Sequence, residues 1–436
     1  MIRSLNLRVA LTMAIAWIGW GGLNHWQSRV AEAEPKPERP AARATPKMRG
    51  APDYTRLTGV VEGASLPTEE PEVLWKAAAD PANLAGANVK DLGLTDVVVA
   101  DGVVYFGDDK GQVYALAAED GTEIWVHEHG ARIADKPSVD KQHVYFTSND
   151  RGLAAVRRAT GELVWQHAIV HGTDVTPIPV GNRLYVSGYD GKSYAFDCQT
   201  GEVVWEHDFM EDAPPDQPGF DGKRARFQEI VARPGGAACD GKLFVQAVFD
   251  QSRIIALDCK TGKRHWTFQA AGWMSCDPTI AGDRVFAASQ DSHLYCLDLA
   301  TGNEVWKFKC PGWMQSVIAI DAGKVYLPYH KGTLQQLDAD TGKLLQTFQS
   351  QEPGDDASLA GGAPLIANGT VFFTTNNGNL LALDIATWKL RWKLRPSDGS
   401  WLSSGPATDG RLIFVTASQA PDKRGESAVI AIGLRE

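Results

Sequence analysis

Short apolar runs alternate with polar residues along most of the chain, and small turn doublets separate them. One unit, residues 174–206, contains four such runs, which are separated by the doublets Gly181-Asn182, Asp190-Gly191 and Thr200-Gly201. Doublets of this kind between runs with a period of two are typical of β-hairpins. No segment keeps the 3.6-residue period of an amphipathic helix. The pattern predicts an all-β protein with four short antiparallel strands in each unit.

A ten-residue motif recurs in phase with these units. Its clearest copy, residues 297–306, has the sequence Leu-Asp-Leu-Ala-Thr-Gly-Asn-Glu-Val-Trp. Further copies end at Trp205 and Trp266, and looser copies end at Trp125 and Trp165. Four of the steps between successive motif glycines are 40 residues long. A fixed period of this length indicates a repeat architecture in which each unit is a propeller blade.

Two later copies depart from the motif. One keeps Thr341-Gly342, and we expect Leu345 in the place of its tryptophan. The last copy keeps Trp392 but has Thr387-Trp388 in place of Thr-Gly. A large ring that recurs at the end of the units is interpreted as scaffold packing. With these two copies the closing positions number eight, namely Trp75, Trp125, Trp165, Trp205, Trp266, Trp306, Leu345 and Trp392.

The two ends of the repeat array complement each other. Trp75 closes a unit that lacks earlier strands, whereas residues 401–434 supply three strands without a closing one. The strand around Trp75 is therefore predicted to complete the C-terminal blade, which removes the free sheet edges of an open array. We predict an eight-bladed β-propeller of four-stranded antiparallel blades over residues 72–436.

The N-terminal part has the pattern of a targeting segment. A basic start precedes the mostly apolar residues 9–23, and Ala31-Glu32-Ala33 fits a small-x-small cleavage site. Residues 1–33 are predicted to be an export signal, so the mature protein is expected to be periplasmic or secreted. The alternative is an uncleaved anchor in the inner membrane. Residues 34–71 are rich in proline and are predicted to form a linker and lead-in to the propeller.

The six cysteines include no adjacent pair, no Cys-x-x-Cys and no Cys-x-x-Cys-His. Cys198 and Cys259 occupy equivalent positions in neighbouring units, where we expect them to lie too far apart to bridge. Export would permit disulfides, but buried free thiols are the preferred interpretation.

The repeat Asp-x-x-Thr-Gly-x-x-x-Trp resembles the PQQ-type propeller repeat over residues 72–434. That family includes the quinoprotein alcohol dehydrogenases and the propeller lipoprotein of the bacterial outer-membrane β-barrel assembly machine. The resemblance implies the fold and leaves the function open, because the family contains both enzymes and scaffolds. The dehydrogenases carry a vicinal Cys-Cys disulfide over their cofactor, which this sequence lacks.

No catalytic residue can be assigned from a motif. The sequence contains no Gly-x-Ser-x-Gly, no His-Glu-x-x-His and no phosphate-binding loop. The triplet His127-Glu128-His129 offers two imidazoles on one face of a strand, but no further ligand completes a metal shell. We interpret the triplet as the solvated polar end of an outer strand and predict no metal site.

The units differ most in the connections from a fourth strand to the next first strand. The connection takes 31 residues after Trp205, to an inner strand aligned at Gly236, whereas 12 residues follow Trp125, Trp165, Trp266 and Trp306. Residues 208–234, which mix both charges, are either a solvated loop or a lid or partner arm. All these connections emerge on one face of a propeller, the decorated face, where function usually lies.

Three tryptophans, Trp273, Trp313 and Trp401, share one register on the decorated face. Each lies five residues before the aligned inner-strand position, and Arg132 holds this register in another unit. We expect these three tryptophans to surround the mouth of the central channel. They are either packing that plugs the mouth or a stacking site for a flat ligand or a partner side chain. The predicted ligand- or partner-binding residues are Trp273, Met274, Trp313, Met314, Trp401 and Arg132.

The sequence favours an exported, non-catalytic binding or scaffold module of the cell envelope that needs no cofactor. Its expected partner is an envelope protein or a small planar ligand at the decorated face. A formal net charge of −10 argues against nucleic acid, and membrane contact is expected only through an uncleaved N-terminal segment. The alternative is a quinoprotein-like oxidoreductase that holds a planar quinone, PQQ with calcium, at the tryptophan-lined mouth.

Overall fold

Every regular element in the described part of the chain is a β-strand. The computed structural model describes residues 63–78, 93–209, 234–248, 251–274, 276–312, 317–329, 333–350, 362–375, 377–402, 404–419 and 427–435. All of them belong to one unit, residues 42–436. No helix among these residues is long and apolar enough to cross a membrane.

Seven of the eight sheets contain four antiparallel strands in sequence order. Blades 1 to 4 contain β2 (Val98–Ala100), β3 (Val103–Gly107), β4 (Gln112–Ala117) and β5 (Glu123–Glu128); β6 (Ser138–Val139), β7 (His143–Ser148), β8 (Gly152–Arg157) and β9 (Leu163–His167); β10 (Ile178–Val180), β11 (Arg183–Ser187), β12 (Lys192–Asp197) and β13 (Val203–Asp208); β14 (Pro234–Cys239), β15 (Leu243–Val248), β16 (Arg253–Asp258) and β17 (Arg264–Gln269). Blades 5 to 7 contain β18 (Thr279–Ala281), β19 (Arg284–Ser289), β20 (His293–Asp298) and β21 (Glu304–Lys309); β22 (Ala319–Asp321), β23 (Lys324–Tyr329), β24 (Thr333–Asp338) and β25 (Leu344–Gln349); β26 (Leu365–Ala367), β27 (Thr370–Thr374), β28 (Leu380–Asp384) and β29 (Leu390–Leu394).

Blade 8 joins the two ends of the described chain. It contains β30 (Ser400–Leu402), β31 (Ala407–Thr408), β32 (Ile413–Gln419), β33 (Ala428–Gly433) and, on its outer edge, β1 (Glu72–Ala78). Strand β1 pairs antiparallel with β33, from Glu72 opposite Gly433 to Ala78 opposite Ala428. The eight-bladed fold and its closure by the strand around Trp75 are therefore confirmed.

The hydrophobic core lies between successive blades. One cluster, for example, combines Val245 and Ile254 of blade 4 with Val285 and Tyr295 of blade 5. Because each blade is covered by a neighbour on both faces, its middle strands carry runs of apolar residues, such as residues 285–288 of β19 and residues 294–297 of β20. The outer strands alternate between buried and exposed positions, because one edge of the blade meets solvent.

The motif Asp-x-x-Thr-Gly forms the turn between the third and fourth strands. In blade 5, the Asp298 Oδ1 atom accepts hydrogen bonds from the Thr301 backbone N–H at 2.9 Å and from the Thr301 hydroxyl at 2.7 Å. These bonds, above all the one from the Thr301 side chain, hold the pKa of Asp298 below its ordinary value. The same pair of bonds recurs at Asp258, Asp338 and Asp384.

The motif glycine and tryptophan join neighbouring blades. Gly302 has a φ of +72°, and a Cβ atom placed on it would lie 2.5 Å from the ring of Trp266 in the preceding blade. The Trp266 Nε1–H donates to the Leu299 carbonyl beside the same turn at 2.8 Å. Glycine is therefore needed here both for its backbone conformation and for the approach of the ring. We call such a junction between neighbouring blades a joint. The same contact of a tryptophan with a glycine recurs at five more joints, namely Trp75 with Gly121, Trp125 with Gly161, Trp165 with Gly201, Trp205 with Gly262 and Trp306 with Gly342.

The joint between blades 6 and 7 departs from this pattern. The tryptophan position of blade 6 is held by Gln346, which pairs with Gln336 as Trp306 pairs with Cys296. The assignment of Leu345 to this position was wrong by one residue. The glycine position of blade 7 is held by Trp388, whose φ is +57° and whose ring stacks on Tyr326 of blade 6 with centroids 6.3 Å apart. A tryptophan from the following blade thus occupies the space that the preceding blade leaves open.

The joint between blades 7 and 8 uses the residues before β1. The Trp392 Nε1–H donates to the Pro67 carbonyl at 3.3 Å, and the Ser65 N–H donates to the Gly410 carbonyl at 2.6 Å. Ala64 and Leu66 are buried in the same cluster as Trp392. This part of the predicted lead-in therefore replaces the Asp-x-x-Thr-Gly turn that blade 8 lacks.

Closure by β1 can be tested by truncation. Deletion of residues 1–50 should leave the melting temperature unchanged, because packed contacts are described from Ala64 onward. Deletion of residues 1–80 removes Trp75 and should lower the free energy of unfolding by at least about 3–5 kcal/mol, the typical effect of removing a packed aromatic ring. The exposed edge of β33 should also promote aggregation. Equal melting temperatures for the two truncations would contradict this account.

The joint between blades 6 and 7 can be tested by a double-mutant cycle. Trp388→Gly should destabilise the protein by leaving Tyr326 without its stacked ring, and Gln346→Trp should destabilise it because Trp388 already fills the space. The double variant recreates the contact of the other joints. Chemical denaturation should show that it is more stable than the sum of the single changes predicts, by about 1–3 kcal/mol. Additive effects would show that the two positions do not share one space.

Candidate functional site

Trp273 and Trp401 occupy the same structural register in blades 5 and 8. Each tryptophan precedes a residue that pairs with the second strand of its blade, Met274 with Ser289 and Leu402 with Ala417. In each blade one phenylalanine of the second strand contacts the closing tryptophan, Phe286 in blade 5 and Phe414 in blade 8. Ser289 and Ala417 each lie three residues after this phenylalanine. The shared register predicted for these two tryptophans is therefore correct.

The exposure of these tryptophans separates them from the scaffold tryptophans. The closing tryptophans from Trp125 to Trp392 are only 4–9% exposed, whereas Trp273 is 46% exposed and Trp401 is 44% exposed. Among the exposed large apolar residues in the described part of the chain, these two are the aromatic ones. Nearly half of each indole is thus accessible to a ligand or partner.

The residue after each tryptophan points inward. Met274 and Leu402 are almost completely buried, and each belongs to a core cluster of its blade. Successive residues of extended chain face opposite sides, so a buried residue directs the preceding tryptophan toward solvent. Met274, which we predicted as a binding residue, is therefore a core residue on the side of the chain opposite to the Trp273 ring.

Arg132 holds the same register in blade 2. It precedes Ile133, which is buried and pairs with Ser148. The Arg132 Nε–H donates to the Asp109 Oδ1 atom of blade 1 at 2.6 Å, with more than half of the arginine side chain exposed. Such an ion pair contributes little to stability, on the order of 0–1 kcal/mol, but it places both charges at the surface. Asp109 was not singled out in the sequence, although it follows the second strand of blade 1.

Several predicted features lie outside the described residues. They include Trp313 and Met314 of the tryptophan ring, residues 210–233 of the charged insertion and the export signal at residues 1–33. The described members of the predicted site are Arg132, Trp273, Met274 and Trp401.

Strand pairing shifts the aligned position of the inner strand of blade 4 by one residue. Val245 pairs with Ala256, which pairs with Trp266, just as Tyr185 pairs with Ala195 and then with Trp205 in blade 3. The position that holds an aromatic residue in the other blades is thus Val245, and not the neighbouring Phe244. The aligned start of the strand moves from Gly236 to Ala237.

The triplet His127-Glu128-His129 was expected to be a solvated strand end, but this is wrong for His129, whereas Glu128 is exposed. His129 is 4% exposed, and its Nε2 atom lies 3.0 Å from the Ser148 hydroxyl. Burial lowers the pKa of His129 to about 4, and the charges of Arg151 and His127 add to the shift. The buried ring packs edge-on against Phe146, with centroids 5.0 Å apart. His129 is a neutral packing residue of blade 2.

A calcium-bound quinone makes specific demands on a site. The exposed faces of Trp273 and Trp401 could stack on a flat ring system, but calcium takes about six to eight oxygen ligands. The described residues contain no group of three or more His, Cys, Asp or Glu that could hold a metal ion. The sequence also lacks the adjacent cysteine pair. Among the described residues, the structure therefore shows no cluster of acidic side chains for this calcium ion.

Comparison with known proteins identifies relatives of this propeller. The model of the family described as outer membrane protein assembly factor BamB matches residues 68–217 and 219–436. The outer membrane protein assembly factor BamB of Shewanella oneidensis is 25% identical over 144 residues, which cover 29% of this chain and 34% of that protein. The match thus spans about a third of the length of the curated relative.

Solved structures of two kinds share the fold. BamB from Moraxella catarrhalis has a TM-score of 0.62 at 15% identity, and the match covers 84% of this chain and 100% of that chain. The quinohemoprotein alcohol dehydrogenase from Comamonas testosteroni has a TM-score of 0.68 at 15% identity, with 88% and 81% covered. The resemblance to PQQ-type propellers is confirmed. Because the family model matches nearly all residues from 68 onward, the chain belongs to the BamB family of PQQ-like repeat propellers.

Proposed function

We propose that this protein is an exported, non-catalytic propeller that binds a protein partner of the cell envelope through its decorated face. The observation that carries the proposal is the exposure of two tryptophans, Trp273 and Trp401, at one register of a fold that buries its closing tryptophans from Trp125 to Trp392. Tryptophan is the residue type most enriched among the energetically dominant residues of protein interfaces.

The two indoles are held in place before a partner binds. Trp401 lies within β30 and pairs with Ser418, and the carbonyl of Trp273 accepts a hydrogen bond from the Gln290 N–H at 2.8 Å. The buried side chains of Met274 and Leu402 fix the direction of each ring. A preorganised aromatic side chain loses little conformational entropy on binding, which favours affinity.

The charge of Arg132, at the same register, supplies specificity. Arg132 forms an ion pair with Asp109 of blade 1, in which 57% of the arginine side chain and 20% of the aspartate side chain are exposed. A partner that carries a carboxylate opposite Arg132 would be favoured, and one with a cation there would be disfavoured. Such rim charges affect association rate and selectivity more than affinity.

The assignment to the envelope rests on the relatives and on the N-terminal sequence. The matching family and the Shewanella oneidensis relative are named as outer membrane protein assembly factors. The apolar residues 9–23 and the Ala31-Glu32-Ala33 site have the pattern of an export signal. A partner in the same compartment is therefore a protein of the envelope.

Alanine substitutions test the tryptophan surface. Affinity purification from envelope extract should enrich a protein that, once purified, binds the wild-type propeller directly in calorimetry. Trp273→Ala and Trp401→Ala should each raise its Kd about tenfold or more, as expected for an exposed aromatic anchor, without lowering the melting temperature. Arg132→Ala should weaken binding less and change its salt dependence.

Trp306→Ala is the control from the scaffold. Trp306 is 9% exposed and packs on Gly342, so its loss should destabilise the protein by about 3–5 kcal/mol. If Trp273→Ala and Trp401→Ala lower stability as much as Trp306→Ala and leave the Kd unchanged, these rings only plug the channel and the proposed surface is wrong.

The quinoprotein alternative has its own test. Purified protein incubated with PQQ and calcium should show no dye-linked oxidation of alcohols above the level of free cofactor, because no adjacent cysteine pair and no described acidic cluster is present. A quinohemoprotein or methanol dehydrogenase assayed in parallel provides the positive control. Sustained turnover that is lost in Trp273→Ala would favour the oxidoreductase.

A further inference from the structure

Two cysteines of blade 4 meet in the core. The Sγ atoms of Cys239, at the end of β14, and Cys259, just after β16, lie 3.1 Å apart. Both side chains are almost completely buried in a cluster with Trp205 and Phe244. A disulfide bond is about 2.0 Å long, so a shift of roughly half an ångström by each sulfur would bring the pair to bonding distance.

The repeat shows that this pair of positions is normally filled by other residues. Cys239 pairs with Phe244 as Ile280 pairs with Val285 and Ile320 with Val325. Cys259 follows the motif aspartate, as Leu299 and Ala339 do. The corresponding residues of the other blades are Val99 and Ala118, Val139 and Arg158, Pro179 and Cys198, Ile280 and Leu299, Ile320 and Ala339, and Ile366 and Ile385.

The two positions pack together where they are apolar. Val99 shares a cluster with Ala118, and Ile280 shares one with Leu299. Among the seven blades with a motif turn, blade 4 alone has cysteine at both positions, whereas blade 3 has Cys198 opposite Pro179. The proximity of the two thiols therefore follows from the repeat geometry.

We propose that Cys239 and Cys259 form a disulfide when the chain folds in the presence of a disulfide-bearing oxidant. The thiolate of one cysteine attacks the oxidant to give a mixed disulfide and one reduced thiol of the oxidant. The second cysteine then displaces the remaining oxidant thiol and forms the Cys239–Cys259 bond. In total the two cysteines lose two electrons and two protons, and one oxidant disulfide becomes two thiols.

The bond must form before blade 4 is fully packed. In the folded protein the hydrogen bond with Cys259, together with burial, raises the pKa of Cys239, so little of the reactive thiolate is present. Both sulfurs are also shielded from solvent. Oxidation should therefore be efficient during refolding and slow once the propeller has closed.

The disulfide would crosslink two segments of blade 4. It would join the inner strand β14 to the turn between β16 and β17. The Cys259 carbonyl at this turn accepts hydrogen bonds from the Tyr185 hydroxyl and the Trp205 Nε1–H of blade 3, at 3.1 and 3.0 Å. A crosslink beside this turn would stabilise the blade mainly by restricting the unfolded chain.

The test uses the purified full-length chain refolded with oxidised glutathione or with dithiothreitol. The oxidised sample, denatured and alkylated, should expose four thiols instead of six, and peptide mass spectrometry should show Cys239 linked to Cys259. Its melting temperature should exceed that of the reduced sample by on the order of 5 °C. Cys239→Ser and Cys259→Ser should abolish this difference.

Cys198→Ser is the matched control, because Cys198 is equivalent to Cys259 but faces Pro179. This variant should keep the crosslink and the difference in melting temperature. Six reactive thiols after oxidative refolding of the wild type, or a linkage among Cys276, Cys296 and Cys310 instead, would overturn the proposal. This comparison of oxidised and reduced wild type does not depend on whether the serine variants fold.

Discussion

The contact between a tryptophan ring and the glycine turn of the next blade is the constraint on which the propeller depends. The ring needs a residue without a side chain beneath it, and the turn needs a positive φ, so one glycine meets both demands. The indole N–H then donates to a carbonyl that lies 33 residues further along the chain in four of the blades. A single motif thereby sets the spacing, the order and the attachment of the blades.

The joint between blades 6 and 7 shows that the space matters more than the identity of the residue that fills it. Gln346 leaves a gap in blade 6, and Trp388 of blade 7 fills it from the opposite side. The exchange has two unfavourable consequences. Trp388 adopts a positive φ, and its buried Nε1–H has no hydrogen-bond partner among the described residues. The two departures from the motif are therefore one compensated change.

The sequence was sufficient for the number of blades and for the closure by β1, because each motif residue has one geometric task that recurs at a fixed period. It was not sufficient for the exact register of two strands. The sequence placed Leu345 at a tryptophan position and aligned blade 4 at Gly236, although strand pairing assigns these positions to Gln346 and Ala237. An error of one residue in a strand exchanges its two faces.

For the candidate site, the register of Trp273 and Trp401 could be predicted because it is a constant offset from an aligned strand. The inward direction of Met274 follows from the same alternation, and using it would have removed Met274 from the predicted surface.

The topology separates the scaffold contacts from the proposed binding surface. The motif turns connect third and fourth strands and lie beside the turns between first and second strands, as the bond from the Cys259 N–H to the Lys242 carbonyl shows. Trp273 and Trp401 instead lie beside Gln290 and Ser418, near the opposite ends of the second strands. A substitution at this end leaves the tryptophan–glycine joints intact. The decorated face can therefore vary from blade to blade while the opposite face keeps the ring closed.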